Sequence, residues 1–239
     1  LKTGDCGGNF SAAVRAENNS GYIAVIPDIK RVSPKEGELM PGRDPAEAAK
    51  ELVSFGAPAR SVVTESARFG GSEDMLRAVV RNVNVPVLRK DFITSGEQLI
   101  KTAGLGAAAV LLICAVTDEK KLCMLYEKSL ELGLEPFVET CTAAEVALAK
   151  KLGAQLIGIN NRDILTLERD DGGPSRTAEL ASGISSGAVL VSESGILSSA
   201  DAEAAAAAGA NAVLAGTAIW KSNDIRGMYN SLRVKFYGR

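Results

Sequence analysis

Histidine is missing from all 239 residues, which excludes the usual general base, any Ser-His or Cys-His nucleophile pair and the common zinc ligand. Acid–base chemistry here falls to Lys, Asp and Glu. Cysteine is scarce: Cys6, Cys114, Cys123 and Cys141 show no CxxC spacing and no framework of the kind that staples small secreted proteins. Free thiols in a reducing cytoplasm are the simpler expectation. No stretch approaches about 18 consecutive apolar residues, so no membrane helix is expected. The start, with Asp5 and Asn9, carries no basic-then-apolar signal segment, and Leu1 in place of Met leaves room for residues ahead of it. A dominant charge is absent as well. The 27 Lys and Arg nearly balance 29 Asp and Glu, so no chain-wide field favours nucleic acid or an anionic membrane.

What is present is an apolar fraction of 46%, enough for a substantial core in a cytoplasmic globular chain, monomeric or weakly homo-oligomeric. Eight short runs rich in Val, Ile, Leu and Ala recur at 23–30, 59–66, 86–92, 107–116, 135–141, 156–162, 188–194 and 212–218. Each is followed by a turn signal and then an amphipathic segment, the pattern of repeated βα units. Asp44 before Pro45 reads as a helix N-cap with proline in the first turn, and that helix is expected to end near Gly56. Thr94 with Glu97, and Thr142 with Glu145, have capping-box spacing. Gly133, Gly153 and Gly209 stand where helix C-caps are needed, and the alanine tract 204–208 reads as a helix packed closely on a strand. No proline-rich or Ser/Gly-rich linker divides the chain. The expectation is therefore an α/β fold: a single (β/α)8 TIM barrel over 1–239, with a short arm, 1–22, before the first strand. An open doubly wound sheet is the alternative.

In such a barrel the active site forms at the C-terminal strand ends, where the βα loops converge. Those ends read Asp28 and Lys30, Glu65, Lys90 and Asp91, Glu139, Asn160 and Arg162, then Glu193 and Ser194. Unpaired charge so near a packed interior is penalised by several kcal/mol, so these groups must pair or bind something. An inert ion-pair network of Lys30, Lys90, Glu139 and Glu193 is the structural alternative, and Glu65 reads equally well as a solvated loop residue. The last two strands lead into SESGI and AGTAIW. Gly195, Gly216 and Thr217 thus stand at turns whose amides can face an anion, and loops at this place in the barrel often hold phosphate. Lys30 and Ser33, from the neighbouring first strand, can complete that site, whereas Arg31 and Lys35 read as solvated.

At these motifs the sequence resembles the indole-3-glycerol phosphate synthase family, from about Phe10 to Lys221 and in the family's order. IPDIKRVSPKEG is similar to its first-strand segment, VTESARFGGSEDML to its second-strand loop, and VLRKDFI, LGLEPFVET, LIGINNRDILTLERD and VSESGI to the segments that follow. The resemblance implies a carbon–carbon lyase of tryptophan biosynthesis, a carboxy-lyase. It converts 1-(2-carboxyphenylamino)-1-deoxyribulose 5-phosphate to indole-3-glycerol phosphate with loss of CO2 and water, without metal or cofactor. By the same resemblance Lys90 is the general acid, and Lys30, Glu139 and Asp28 are its catalytic companions. Asn160 and Glu193 position the substrate, while Phe69, Phe92, Leu111 and Leu214 wall its aromatic ring, although ordinary barrel core is an equal reading of those four. Ser33, Arg162, Ser194, Gly195, Gly216 and Thr217 hold the phosphate.

Three departures stand out. Asp28 occupies the place of a family Glu that is one methylene longer, so it either acts through water or marks a weak or repurposed enzyme. Cys141 replaces a usually polar side chain and reads as a small buried thiol. The arm before the first strand is shorter than the family's, which includes a helix beside the active-site mouth. Two rival functions follow: a barrel that binds a phosphorylated ligand without catalysis, and a sibling phosphosugar isomerase such as phosphoribosylanthranilate isomerase. The latter needs a Cys and Asp acid–base pair at strand ends, and Cys141 has no obvious Asp partner in the sequence.

Overall fold

The computed structural model describes residues 9–162 and 173–238; Cys6 and the later part of LIGINNRDILTLERD lie outside them. The order is α1 (Phe10–Asn19), β1 (Ala24–Ile29), the hairpin strands β2 (Val32–Ser33) and β3 (Gly37–Glu38), α2 (Pro45–Ser54), β4 (Arg60–Val63), α3 (Glu73–Asn82) and β5 (Val87–Lys90). Then come α4 (Gly96–Gly104), β6 (Ala109–Ile113), α5 (Glu119–Glu131), β7 (Glu135–Thr140), α6 (Ala143–Lys151) and β8 (Leu156–Asn160). The chain continues with α7 (Ser175–Leu180), β9 (Val189–Glu193), α8 (Ser199–Ala207), β10 (Ala212–Ala215), α9 (Thr217–Lys221) and α10 (Ile225–Leu232). Every one of the eight apolar runs holds a strand. All eight pair in parallel and close on themselves as β1-β10-β9-β8-β7-β6-β5-β4, a (β/α)8 TIM barrel.

Strand alternation splits the apolar residues into two cores. Ile26, Leu88, Leu111, Phe137, Leu156, Val191 and Leu214 point inward and fill the barrel. Val25, Val62, Val110, Val138, Ile157 and Val213 point outward against the helices. Burying each such side chain contributes about 1.5–3 kcal/mol. The alanine-rich α8 fits the same scheme, since Ala202, Ala205 and Ala206 are buried against the outer core.

Helix ends follow the local chemistry. Asp44 Oδ1 accepts from the amides of Ala46 and Glu47, and Thr142 with Glu145 forms a capping box. The expected box at Thr94 and Glu97 is displaced by one residue: Ser95 is the N-cap and Gln98 its partner. The spacing fits both pairs, and Gln98 prevails because its Oε1 accepts from the amides of both Ser95 and Thr94. The arm ahead of β1 forms α1, which closes the floor of the barrel, opposite the strand ends that carry the polar residues. Phe10 and Val14 are fully buried among the inward residues that open the strands, including Ala24, Ala59, Ala109 and Ala212. Asn18 and Asn211 bond each other across that floor at 3.0 Å. The hairpin of β2 and β3 and the terminal helix α10 have no counterpart among the sequence expectations. Among the described residues no helix is long and apolar enough to cross a membrane.

Candidate active site

Alternation along β5 decides the site. Leu88 points into the barrel, Arg89 out and Lys90 in again, just as the strand ends. Lys90 Nζ thereby reaches two carboxylates from other strands, Glu193 Oε2 at 2.9 Å and Glu139 Oε2 at 3.3 Å. The polar chain continues: Asn160 Nδ2 donates to Glu139 Oε1 at 3.1 Å, and Asn160 Oδ1 accepts from the Arg162 amide at 3.0 Å. Glu139, Asn160 and Glu193 are no more than 2% exposed, so Lys90 is the member of this group that borders open space. Two buried carboxyl groups share one ammonium. Burial pushes the Glu193 carboxyl up to about 8, against the opposing pull of Lys90 and with the Glu139 and Asp28 carboxylates adding to the rise.

Lys90 stands between two clefts. One, of about 340 Å³, is lined by Val63, Phe69, Phe92, Leu111 and Ile113 together with Lys30, Glu65 and Asp91. Its surface is mostly apolar, suited to an aromatic ring. The Lys30 ammonium lies 5.6 Å from the Phe69 ring centre, a cation–π contact. The other cleft, of about 380 Å³, is lined by Asp28, Lys30, Lys90, Arg162, Ser194, Gly195, Gly216 and Thr217 among others. Leu214 lies on this second cleft, apart from Phe69, Phe92 and Leu111. Ser33 does not line it; the Ser33 hydroxyl is buried in the β2–β3 hairpin and accepts from the Glu36 amide at 3.3 Å.

The second cleft gathers three cationic side chains, Lys30, Lys90 and Arg162, beside two turns that carry glycine. Ser194 has φ of 63°, the one non-glycine residue with positive φ among those described, and Gly195 follows at 71°. A non-glycine residue held in this region costs of order 1 kcal/mol or more and persists where the surroundings impose it, commonly at binding sites. Arg162 is 8% exposed and its Nε has no hydrogen-bond partner among the described residues. Asp28 Oδ1 and Glu193 Oε1 are likewise buried and unpartnered. Each such atom costs about 1–3 kcal/mol, and the three gather at one end of the barrel.

Support for the site comes from residues that face away from it. Arg89, 3% exposed, donates to Thr64 Oγ1 at 3.0 Å and to Thr102 Oγ1 at 3.1 Å, and pairs with Asp91 at 3.0 Å and Glu73 at 3.3 Å. Asp91 in turn accepts from the Phe92 amide at 2.8 Å. Asp91 lines the first cleft, as expected at the mouth, and is at the same time half of a clamp with Arg89 that sets Lys90 and Phe92. Arg89 was legible only through the alternation of RKD. Glu65 is not a free loop residue: its carboxylate accepts from the amides of Ala67, Arg68 and Phe69, folding the loop that carries Phe69. Arg31 and Lys35 are exposed, as expected. Cys141 is half-buried rather than buried, because it follows the end of β7 and is no longer covered by the strand layer.

Comparison with known proteins adds independent findings. A family model described as indole-3-glycerol phosphate synthase matches residues 6–232. Indole-3-glycerol phosphate synthase of Pyrococcus furiosus is 44% identical over 215 residues, covering 90% of this chain and 92% of that protein. The Listeria monocytogenes enzyme of the same name is 42% identical over 216 residues, 90% of this chain and 84% of its own length. That of Mycobacteroides abscessus is 44% identical over 205 residues, 86% and 74%. The crystal structure of 3-hexulose-6-phosphate synthase from Salmonella typhimurium superposes with a TM-score of 0.69 at 18% identity, over 88% of this chain and 96% of that one, a likeness of fold alone.

Proposed function

The chain belongs to the indole-3-glycerol phosphate synthase family, and on that footing we propose how its barrel mouth performs the family's reaction. The protein is a carboxy-lyase of tryptophan biosynthesis. It closes the indole ring of 1-(2-carboxyphenylamino)-1-deoxyribulose 5-phosphate, releasing CO2 and water. The reading includes a cytoplasmic location.

The observation that carries the residue assignment is the position of Lys90: one ammonium, held by Glu139 and Glu193, between an apolar cleft and an anion cup. The anthranilate ring lies against Phe69, Phe92 and Leu111, and the phosphate lies at Arg162, Ser194, Gly195, Gly216 and Thr217. Leu214 packs against the ribulose chain between them. The substrate ketone then falls beside Lys90 Nζ. As the carboxyl-bearing ring carbon attacks the ketone carbon, Lys90 gives its proton to the carbonyl oxygen, which becomes a hydroxyl. Once Lys90 has given up its proton, the Glu193 carboxyl beside it, pushed up to about 8 by burial, can return one. The C–C bond to the carboxylate breaks next, with Lys30 stabilising the charge that develops. Elimination of the new hydroxyl as water completes the indole, with Glu139 and Lys30 carrying the protons. Asn160 and Glu193 fix the hydroxyl and amine groups of the chain, and Asp28 borders the cup.

The proposal is tested by following indole-3-glycerol phosphate fluorescence on addition of the carboxyphenylamino substrate. Turnover by the folded protein is expected; a folded protein without turnover overturns the reading in favour of a ligand-binding barrel. Lys90→Met is expected to lower kcat by at least about a thousandfold, within the range of a general acid's contribution, with substrate binding still measurable by calorimetry. Full rate in that variant would remove Lys90 from its role.

A further inference from the structure

Asp28 and Ser61 are register partners on the adjacent parallel strands β1 and β4. Alternation turns both side chains into the barrel: Ile26 and Asp28 share the inner face of β1, and Ala59 and Ser61 share that of β4. Both are sealed from solvent, Asp28 at 2% exposure and Ser61 at 0%. Each carries a buried oxygen with no hydrogen-bond partner among the described residues, Asp28 Oδ1 and Ser61 Oγ. The other Asp28 oxygen is set apart on the β10 side, Oδ2 lying 3.6 Å from where a Cβ on Gly216 would stand. The Asp28 main chain is anchored too, its carbonyl accepting from Trp220 Nε1 at 2.7 Å.

Two unpartnered polar atoms on paired residues are an unusual expense. Either alone costs about 1–3 kcal/mol, and neighbouring strands lie roughly 4.8 Å apart. The two oxygens do not bond each other, and side chains paired at that spacing can share one intervening molecule that bonds both. A buried water with two or more polar partners is the ordinary solution. We propose that Ser61 is a positioning residue for Asp28, acting through a single internal water that bonds Ser61 Oγ and Asp28 Oδ1. The water fixes the carboxylate plane, so that Oδ2 is presented to the cleft that holds the phosphate end of the substrate. Ser61 touches no substrate. Its effect reaches the reaction only through Asp28, and the inference rests on the functional reading above.

The experiment is a double-mutant cycle of Ser61→Ala and Asp28→Glu, read in kcat and KM, with thermal melting of all four proteins and a high-resolution crystal structure of the wild type. Ser61→Ala is expected to lower kcat about fivefold to tenfold with KM moved by less than about twofold, in the range of one lost water-mediated bond. In the Asp28→Glu background the same substitution should change kcat by less than about twofold, because the longer side chain carries its carboxylate past the water. An equal loss in both backgrounds, or wild-type kcat in Ser61→Ala, overturns the coupling. The crystal should contain an ordered water roughly 2.7–3.0 Å from both oxygens; two oxygens with nothing between them overturn the bridge. If the wild-type protein has no synthase turnover, the functional reading falls, and the crystallographic water alone then judges this one.

Discussion

Glu193 of β9 stands two residues past Val191, the register partner of Gly158 on β8, and its side chain reaches back so closely that a Cβ on Gly158 would stand 2.3 Å from Glu193 Oε1 and 2.4 Å from the Phe137 ring. The missing side chain is what admits both a buried carboxylate and an aromatic ring to one layer of the barrel. Gly158 has ordinary strand geometry rather than positive φ, so its role is room and not backbone freedom.

Gly158→Ala should therefore push Glu193 away from Lys90. The expected result is a fall in kcat of about a hundredfold, the scale for a displacement near 1 Å at a reacting group, together with a loss of about 1–3 kcal/mol of stability from overpacking. Steady-state kinetics with urea unfolding of the same sample checks both. A variant with wild-type kcat would show that the layer has slack and that Glu193 is not held by this contact.

The raised Glu193 carboxyl has a consequence for stability whose sign is determined. The folded protein holds a proton on Glu193 up to about pH 8, whereas the unfolded chain releases it near the ordinary value of 4.5. Over that window the folded state binds more protons, so this group's contribution to stability falls as pH rises from about 4.5 through about 8. Glu193→Gln removes that decline. Urea unfolding at pH 5.5 and pH 8 is expected to show the variant gaining on the wild type at the higher pH. A constant difference between the two proteins would mean that Glu193 is ionised throughout.

On the other side of the strand layer, Arg60 is fully buried without a carboxylate. Its Nη1 donates to the Ala59 carbonyl at 2.7 Å, while Nε and Nη2 reach the Ala49 carbonyl of α2 at 3.4 Å. Burial pushes its guanidinium down to about 9. A cation compensated by carbonyls alone contributes little, and apolar replacement of buried charge is often neutral or stabilising. Arg60→Met should melt at the wild-type temperature or a few degrees higher. A loss above about 2 kcal/mol would show that those carbonyl bonds outweigh the desolvation.

Much of the fold was legible in advance because it rests on short-range rules. The eight apolar runs marked the strands, since a strand covered on both faces must be apolar on both. The cap at Asp44 and the box at Thr142 followed from side chains that satisfy nearby amides. The displaced box at Ser95 shows where such rules stop: two overlapping pairs satisfied the same spacing, and only the full set of bonds to Gln98 chose between them. The helix α1 was illegible for another reason. Phe10 and Val14 find their partners at the starts of strands spread along the chain, so no local pattern pointed to the barrel floor.

For the site, sequence alone determined the inventory: strand ends rich in Lys and carboxylate, two glycine-bearing turns late in the chain, and no histidine to share the work. Those follow from residue type and position along the chain, which the folded state cannot alter. Only closure of the barrel decided that Lys90 meets Glu139 and Glu193, residues 49 and 103 positions away, that Asp91 meets Thr64 of the neighbouring strand, and that Ser61 lies beside Asp28. Which charges meet depends on strand register and on the inward or outward turn of each side chain. Both are set by packing across the whole ring of strands, a property that no stretch of the chain holds by itself.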